Sequence, residues 1–279
     1  MNILITGANG FLGKHFKEHY SSEEHKVYSL GRQQLDVTSE KAVDEFFQNN
    51  NIDIVLHTAV KGGRRNQPDT LDDFIDNMLM FRNLSHHSGQ YKLMINFGSG
   101  AEFDRSRQVE NMREDEIYER WPSDYYGLSK NLITREINKH SNIINLRLFG
   151  CFGLHELPSR FMKNSISRLM KGLPLIIHKD MEMDFISIGD VLKTVDFFVK
   201  NPDHHLHKDL NLCYEDKVSL SDIVYIILDL TGATNGVIFK ERSKALSYSG
   251  DPRRFLSLGI KIDGLRKGIE QMIKDLRSQ

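Results

Sequence analysis

The stretch Met1-Asn-Ile-Leu-Ile-Thr-Gly-Ala-Asn-Gly-Phe-Leu-Gly13 decides the fold, because a short apolar run passes directly into three regularly spaced glycines. Gly7 permits a tight turn, and Gly10 carries no side chain that would block a pyrophosphate. Gly13 is expected to let the following helix pack against the sheet, with the first helical amides pointing at the anion. The spacing GxxGxxG between a strand and a helix therefore predicts a dinucleotide phosphate site.

Strand-like apolar runs alternate with helical patterns through the first half of the chain. The five runs that precede helical periodicity are residues 3–6, 26–30, 54–57, 93–97 and 143–148. This alternation predicts an α/β fold, a doubly wound parallel Rossmann sheet with helices on both faces.

From about residue 153 the pattern changes to short segments that predict a smaller mixed α/β substrate lobe at the C-terminal side. Its predicted strands are 174–178, 184–188 and 236–240, and its predicted helices are 160–171, 219–231 and 263–277. A helix at 190–200 and a strand at 209–213 are expected to return to the large domain. The predicted division is a cofactor-binding domain of residues 1–153 with 189–213, and a substrate lobe of 154–188 and 214–279. A second ligand is expected in the cleft between them.

Composition excludes several function classes. The chain has 279 residues, 37 Lys and Arg against 38 Asp and Glu, and a net charge of -1. Such a balance provides no general basic field for nucleic acid or an anionic membrane surface. No apolar run approaches the ~20 residues that span a bilayer. We therefore expect a cytoplasmic protein with no nucleic-acid or membrane partner.

The cysteines and histidines predict no metal site. Cys151 and Cys213 lack metal-ligand spacing and are expected to be structural. The histidine clusters have no cysteine or carboxylate partners at zinc-site spacing, so we expect them to lie in solvated turns. These clusters are His86-His87 and His204-His205-Leu206-His207.

Tyr126 and Lys130 lie four residues apart in a run with helical periodicity, so their side chains share one helix face. A free tyrosine titrates near ~10, and an adjacent ammonium favours phenolate, which is expected to bring the pKa of Tyr126 toward working pH. Ser99 follows a predicted strand, at the edge where a doubly wound sheet presents side chains to a ligand. The order of glycine turn, serine, tyrosine and lysine predicts that Ser99, Tyr126 and Lys130 are catalytic.

These residues together resemble the short-chain dehydrogenase/reductase superfamily, specifically the extended branch that acts on nucleotide-diphosphate sugars, the NAD-dependent epimerase/dehydratase family. The resemblance covers essentially the whole chain. Residues 59–63, followed by a helix with Phe74 and Asn77, are most similar to the GDP-fucose synthase group, which reduces a 4-keto sugar after epimerising it. The other motifs that carry the resemblance are Asp36-Val37, Leu56-His57-Thr58-Ala59, Leu146-Arg147-Leu148-Phe149-Gly150 and Asp184-Phe185-Ile186-Ser187-Ile188-Gly189-Asp190.

The resemblance implies a role for each matching residue. Tyr126 would exchange a proton with the sugar oxygen, Lys130 would lower the pKa of Tyr126 and hold the nicotinamide ribose, and Ser99 would hydrogen-bond the reacting oxygen. Asn77 would support the site from behind. The implied cofactor-binding residues are Gly7, Asn9, Gly10, Phe11, Leu12, Gly13, Arg32, Asp36, Val37, Ala59, Asn77, Tyr126 and Lys130. The expected substrate-binding residues are Lys61, Gly62, Ser99, Arg160, Lys163 and Arg253.

The second strand indicates which dinucleotide is used. An NAD enzyme usually places a carboxylate after this strand, where it would repel a 2′-phosphate. This chain has Ser29-Leu30-Gly31-Arg32 instead, and the Arg32 guanidinium suits a phosphate. NADP(H) is therefore favoured, and NAD(H) stays possible.

Four departures from the family pattern reduce the number of reactions that we expect this chain to catalyse. Ala101 stands where GDP-fucose synthases carry an epimerisation cysteine, and no histidine aligns with their second epimerisation residue. Without that pair the double epimerisation lacks its acid and base, whereas reduction at C4 needs only a serine, a tyrosine and a lysine. Met183 replaces an arginine that contacts nucleotide phosphate, so Arg160, Lys163, Arg253 or Arg254 is expected to replace it. Gly150 stands where the branch often has Asn.

The leading hypothesis is NADPH-dependent reduction of the C4 keto group of a nucleotide-diphosphate 4-keto-6-deoxy sugar, GDP-linked by preference, in surface-polysaccharide sugar biosynthesis. An NAD-dependent nucleotide-sugar 4-epimerase is the first alternative, and a non-catalytic NADP-binding sensor is the alternative from another class. A 4,6-dehydratase is disfavoured because the Asp-Glu pair expected after the strand-end serine is missing. A homodimer through a four-helix bundle is expected from the apolar residues Met78, Phe81, Leu84, Leu128, Leu132 and Ile133.

Overall fold

The structure is a computed structural model that describes residues 1–21, 24–64, 67–204, 206–234 and 236–278. The strands of these residues are β1 (Asn2–Thr6), β2 (Lys26–Leu30), β3 (Ile54–His57), β4 (Leu93–Ser99), β5 (Val109–Met112), β6 (Ile143–Leu148), β7 (Cys151–Phe152), β8 (Leu175–Ile177), β9 (Ile186–Ser187), β10 (Asp209–Leu212), β11 (Val237–Phe239) and β12 (Tyr248–Gly250). Their α-helices are α1 (Phe11–His19), α2 (Glu40–Asn49), α3 (Leu71–His86), α4 (Tyr125–Ile137), α5 (Phe161–Met170), α6 (Ile188–Lys200), α7 (Leu220–Thr231), α8 (Arg253–Leu256) and α9 (Leu265–Arg277). Short 3₁₀ turns cover Ser88–Gln90, Gly100–Phe103 and Glu114–Tyr118.

Six strands form one parallel sheet in the order β2-β1-β3-β4-β6-β10. The chain passes from β1 outward to β2 and then returns across β1 to β3, so the winding reverses direction between β1 and β3. A crevice for a ligand opens outside the carboxyl ends of the strands at such a reversal. The glycine turn that follows β1 lies at this point, and the predicted doubly wound parallel sheet is confirmed.

Helices cover both faces of the sheet because consecutive strand residues point to opposite sides. On one face, Ile3 and Ile5 of β1 pack with Phe16 of α1 and Val195 of α6. On the other face, Leu4 packs in a second core built from α2, α3 and α4. The continuous apolar runs of the strands therefore reflect burial on both sides.

A third apolar core lies in the C-terminal part of the chain, built from α5, α7, α9 and the strand β8, which pairs with β11. The predicted helices of this lobe are present, and α6 and β10 return to the large sheet as expected. Two short parallel pairs, β5 with β12 and β7 with β9, were not predicted as pairs. The domain division at residues 153, 189 and 213 stays a prediction. No helix of the described residues combines the length and the apolar character needed to cross a membrane.

A charged network lies inside the sheet beneath the carboxyl ends of its strands. Arg147 of β6 has no exposed surface, and its Nη2 lies 2.6 Å from Glu102 Oε2 and 2.7 Å from Asp209 Oδ2. Burial raises the pKa of Glu102, and the Arg147 guanidinium opposes that shift. Glu102 also accepts hydrogen bonds from the Ser99 backbone N–H at 2.8 Å and from Thr134 Oγ1 at 2.9 Å. The network therefore joins β4, β6, β10 and α4.

The substitution Arg147→Met should lower the free energy of unfolding by about 3–5 kcal/mol, because it leaves two buried carboxylates without their cation. Urea denaturation followed by circular dichroism measures this change. The control is Arg107→Met, since the Arg107 side chain is 65% exposed and lies 3.7 Å from Asp104. That substitution should cost less than about 1 kcal/mol. Equal losses in the two variants would contradict the structural importance of the network.

Candidate active site

In the glycine turn, the backbone lies close to the chain that follows β3 and to the first turn of α1. Gly7 has a φ of 65°, and a Cβ there would lie 2.7 Å from the backbone N of Ala59, which follows β3. The Gly10 N–H donates to Gly7 O at 2.8 Å just before α1 begins. A Cβ on Gly13 would lie 2.7 Å from Ala8 Cα and would also clash with Gly7 O. Gly13 therefore lets α1 lie directly against the turn that follows β1, and α1 packs on the sheet through Phe16.

Ser99 and Tyr126 meet at the carboxyl edge of the sheet. Ser99 is the last residue of β4, and Tyr126 lies in the first turn of α4, where Asp124 Oδ1 caps the helix by accepting from the Gly127 N–H at 2.8 Å. The Ser99 hydroxyl lies near the Tyr126 phenol, where it favours the deprotonated form and so opposes the rise in the pKa of Tyr126. A Cβ on Gly63 would lie 2.9 Å from the Tyr126 ring, so a glycine at this place makes room for the ring.

Lys130 lies one turn further along α4 and reaches the floor of the site. Its Nζ donates to Phe97 O at 2.7 Å. Burial lowers the pKa of Lys130 to about 8, and the Glu102 carboxylate opposes that shift. Burial together with the Lys130 charge lowers the pKa of His57 to about 3. The His57 imidazole therefore stays neutral near the Lys130 ammonium.

The expected acidic phenol is not found. Burial raises the pKa of Tyr126, and the Ser99 hydroxyl and the charges of Arg105 and Arg160 oppose this shift only in part. The Lys130 ammonium instead bonds a backbone carbonyl. The expectation that Lys130 brings the pKa of Tyr126 down toward working pH was therefore wrong for this state of the protein.

One cavity of about 320 Å³ joins the glycine turn, the strand ends and the C-terminal lobe. It brings together six of the predicted site residues: Phe11, Leu12, Ser99, Tyr126, Lys130 and Arg160. Residues that the sequence did not assign to the site also line it, among them Arg105, Cys151, Met181, Met183, Leu246 and Tyr248. Cys151, which was expected only to stabilise the fold, thus lines the cavity. Burial raises the pKa of its thiol.

The cations expected to bind substrate do not all reach this cavity. Lys61 pairs with Asp76, Lys163 Nζ donates to Leu154 O at 2.5 Å, and Arg253 Nε donates to Asp251 Oδ2 at 2.7 Å. These contacts hold the ammonium and guanidinium groups away from the cavity lining. Arg160, at the start of α5, is the one of the four predicted substrate cations that lines it.

Other predicted residues shape the loops around the site. Asn77 Oδ1 accepts from the Lys61 N–H at 2.9 Å, and its Nδ2 donates to Lys61 O at 3.0 Å and to Ser129 Oγ at 3.2 Å. Asn77 therefore holds the loop after β3 against α4. Gly62 has a φ of 78° in that loop and packs against Asp69.

The loop after β2 carries the residues expected at the adenosine end. Arg32 Nε donates to Asp36 Oδ2 at 3.3 Å, and the Arg32 side chain is 64% exposed. Hydrogen bonds from Thr38 lower the pKa of Asp36. Val37 is buried in the core beside α2 and α3, so only its backbone can face a ligand. Asn9 lies over Gly31, where a Cβ would clash with its side chain.

Two departures from the family pattern have a local physical reason. A Cβ on Gly150 would lie 2.7 Å from Asp184 O, so the close approach of β7 and β9 excludes the Asn that the branch often has. Met183, in place of an arginine, forms part of the apolar wall of the cavity.

The two predicted histidine clusters lie in mixed surroundings, and His86, the last residue of α3, is exposed. His87, expected in a solvated turn, stacks on Phe47 at 4.5 Å and hydrogen-bonds Asp44 at 2.8 Å, so that expectation was wrong. His205 lies outside the described residues. One group of metal-ligand type occurs among the described residues, His15, Glu18 and His155, and its atoms lie within 4.8 Å of one another. Glu18 and His155 already form a 2.7 Å ion pair, which accounts for their proximity.

Residues 3–213 match the model of the NAD dependent epimerase/dehydratase family. The chain belongs to this family. The predicted extended short-chain dehydrogenase/reductase type is thereby confirmed, and the sheet order and the glycine turn agree with it.

Comparison with known proteins identifies similar chains. A segment of 109 residues is 25% identical to the GDP-L-colitose synthase of Yersinia pseudotuberculosis, over 38% of this chain and 35% of that protein. The match thus spans about a third of that relative. A GDP-mannoheptose C4 reductase of Campylobacter jejuni with NADP bound has a TM-score of 0.83 at 18% identity, over 99% of this chain and 98% of that chain. A GDP-L-fucose synthetase of Naegleria fowleri bound to NADP has a TM-score of 0.81 at 17% identity, over 99% and 92%. The structural likeness shows a shared fold.

The substitution Gly10→Ala should separate dinucleotide binding from folding. The nearest atom to a Cβ at this position is Gly7 O at 3.2 Å, so we expect the free energy of unfolding to fall by less than about 1 kcal/mol. The added methyl would meet the pyrophosphate, and binding of reduced dinucleotide, followed by its fluorescence, should weaken by about tenfold or more, equivalent to about 1.4 kcal/mol. Gly89→Ala, with no heavy atom within 4 Å of the new Cβ, is the control. Unchanged binding in Gly10→Ala would contradict the assignment of the phosphate site.

Proposed function

We propose that this protein reduces the C4 keto group of a 4-keto-6-deoxy sugar carried on a nucleoside diphosphate, with NADPH as reductant and GDP as the favoured nucleotide. The observation that supports this most is that Ser99, Tyr126 and Lys130 line one cavity with the start of the helix that follows the glycine turn. When bound, the reduced nicotinamide supplies a hydride to the ketone carbon. The protein must then supply one proton to the ketone oxygen.

Tyr126 suits the role of proton donor because burial keeps its phenol protonated. The Ser99 hydroxyl, which lines the same cavity, would donate to the same oxygen and stabilise its developing negative charge. Lys130, with its ammonium 2.7 Å from Phe97 O, places a positive charge at the floor of the site. After the transfer, the phenolate of Tyr126 would regain a proton from solvent.

The residues of the glycine turn fit a dinucleotide. A pyrophosphate can approach the backbone at Gly10, where a Cβ would have only Gly7 O within 4 Å. Arg32 stands exposed after β2 and can exchange its contact with Asp36 for a 2′-phosphate. Two of the structural neighbours have NADP bound, which supports NADP(H) over NAD(H) here.

The cavity wall supports a deoxygenated sugar joined to a diphosphate. Met181, Met183 and Leu246 offer an apolar surface, whereas Arg160 offers a positive charge. Arg105 also lines the wall, but its guanidinium pairs with Asp69 and Asp124. Ala101 is fully buried and has no acid or base to exchange protons at C3 or C5. Reduction without epimerisation is the reaction that these residues support. GDP is favoured because the relatives named above act on GDP-linked sugars.

We further propose that two copies pair through α3 and α4 and that the enzyme works in the cytoplasm. Phe81, Leu84 and Ile133, expected to serve both core and partner, are buried within one chain. Exposed Leu71 and Ile75 of α3 are instead the residues free for a partner helix, with Met78, Leu128 and Leu132 partly exposed beside them.

Oxidation of NADPH with a panel of GDP-, dTDP- and UDP-linked 4-keto-6-deoxy sugars tests the proposed reaction. We expect turnover with at least one GDP-linked ketone, and a loss of about a hundredfold or more in kcat for Tyr126→Phe, which removes the proton donor. Tyr125→Phe is the matched control, because its neighbouring phenol is 43% exposed and does not line the cavity.

Three outcomes would contradict the proposal. The first is no NADPH oxidation across the panel. The second is tightly bound NAD with sugar turnover in the absence of added cofactor, which would identify a 4-epimerase. The third is equal activity of Tyr126→Phe and the wild type, which would show that Tyr126 is not the proton donor.

The rate of reduction should depend on the charge of Lys130. The pKa of this amine, about 8, lies below its ordinary value of 10.5, so Lys130 is positively charged below about pH 8 and neutral above it. We expect kcat/KM to be level at neutral pH and to fall as pH rises through about 8. Lys130→Arg keeps its charge and should shift this fall to higher pH. A rate that rises through the same range would contradict the assignment.

A further inference from the structure

Three side chains of metal-ligand type meet where α1 approaches the chain that follows β7. They are His15, Glu18 and His155, and each offers one nitrogen or oxygen atom within 4.8 Å of the other two. His15 and Glu18 lie three residues apart on α1, so they share one face of this helix. His155 comes from the loop after β7, far away in the sequence. The group is therefore assembled only when the chain folds.

The ion pair within this group explains the position of two side chains but not of the third. Glu18 Oε1 lies 2.7 Å from His155 Nε2, and His15 takes no part in that pair. His15 Nε2 accepts the His155 backbone N–H at 3.4 Å, which is long for a hydrogen bond. The two imidazole rings have centres 4.5 Å apart. A Cβ on Gly153 would lie 3.1 Å from His15 Nε2, so the loop itself also lies against this nitrogen.

The electrostatic surroundings of His15 suit a bound cation. The His15 residue is 9% exposed, and burial together with the nearby His155 lowers its pKa to about 4. Its imidazole is therefore neutral at neutral pH, the form that binds metals. The charged side chains that act on it are Glu18, Asp275 of α9 and Lys163 of α5, two negative and one positive. The Glu18 side chain is 60% exposed, which gives an ion a way in from solvent.

The donor set selects the kind of ion. Two imidazole nitrogens and one carboxylate oxygen suit Zn²⁺, whereas Mg²⁺ and Ca²⁺ prefer oxygen ligands alone. Zinc lies about 2.0–2.2 Å from each ligand, so the ligand atoms of a tetrahedral site are about 3.3 Å apart. The contact of Glu18 with His155 would lengthen from 2.7 Å, and the other separations would shorten from at most 4.8 Å. Side-chain rotations are sufficient for shifts of about 1.5 Å or less.

We propose that His15, Glu18 and His155 bind one Zn²⁺ ion, with a water molecule as the fourth ligand, and that this ion ties α1 to the chain after β7. The site is separate from the proposed reduction and does not depend on it. Bound Zn²⁺ stabilises the folded chain, because only the folded chain brings the three ligands together.

The proposed ion connects two walls of the active-site cavity. Phe11 and Leu12 begin α1 and line the cavity beside the glycine turn. The chain after β7 leads through His155 to Arg160, which lines the cavity at the start of α5. None of the three proposed ligands lines this cavity. The ion therefore holds the walls relative to each other and takes no part in proton or hydride transfer.

Titration with Zn²⁺ tests the site, on protein made without a histidine tag and freed of metal by a chelator. Calorimetry should show one strongly bound ion per chain. Glu18→Gln and His155→Gln should each raise the dissociation constant about tenfold or more, equivalent to about 1.4 kcal/mol. Both side chains reach the surface, so both variants should fold. His19→Gln is the matched control, because His19 lies on α1 and pairs with Asp196 at 2.9 Å but is outside the group.

Thermal unfolding followed by circular dichroism measures the expected stabilisation. At a Zn²⁺ concentration one hundred times the wild-type dissociation constant, we expect the Tm of the wild type and of His19→Gln to rise by about 5 °C. The Tm of His155→Gln should rise by about half as much or less. Mg²⁺ should leave each Tm unchanged, because it binds imidazole poorly. X-ray absorption at the zinc edge should show two imidazole ligands in the wild type and one in His155→Gln.

Three results would overturn the proposed zinc site. The first is a titration without saturation at one ion per chain. The second is a dissociation constant that Glu18→Gln and His155→Gln leave at the wild-type value. The third is a Tm that Mg²⁺ raises as much as Zn²⁺ does. None of these measurements uses a sugar, so the zinc site stands or fails whether or not the chain reduces a 4-keto sugar.

Discussion

The hydrogen bond from the Ser99 backbone N–H to the buried Glu102 carboxylate is the constraint on which the site depends. The Arg147 guanidinium compensates the carboxylates of both Glu102 and Asp209, and these three side chains form one buried network. The same carboxylate accepts from Thr134 of α4, the helix that carries Tyr126 and Lys130. The buried Glu102 side chain thus fixes the end of β4 and the helix α4 relative to each other. The serine and the tyrosine meet because both elements are tied to the same point beneath the cavity.

Burial changes the pKa values of two side chains in this site. A phenol taken out of water holds its proton more tightly, and an ammonium taken out of water releases its proton more easily. The structure has both effects, in Tyr126 and in Lys130. In the proposed reduction, a protonated phenol beside the ketone is the acid that the reaction requires. The charges of Arg105 and Arg160 favour the phenolate form of Tyr126, an effect that was expected from Lys130 alone.

Most of the fold could be predicted because its signals are local. The run before Gly7 and the other strands of the large sheet consist of consecutive apolar residues, because these strands are buried on both faces. Tyr126 and Lys130 share a helix face because they lie four residues apart. The positions of the Lys61, Lys163 and Arg253 side chains could not be predicted in this way. Their contacts with Asp76, Leu154 O and Asp251 arise only on folding, so the sequence could not show that these cations are engaged outside the cavity.

Tyr248 marks the limit of prediction at the site: it lies in a short strand paired with an equally short β5, and no motif surrounds it. The central claim is that a hydride passes from the nicotinamide to the C4 ketone carbon of the sugar in the crevice lined by Tyr126 and Ser99. The most direct test follows deuterium from NADPH labelled at C4 of the nicotinamide. The account predicts that the product sugar carries one deuterium, bonded to C4, when the transferred position is labelled. Deuterium at another carbon, or a reduced product without deuterium from either labelled face, would contradict it.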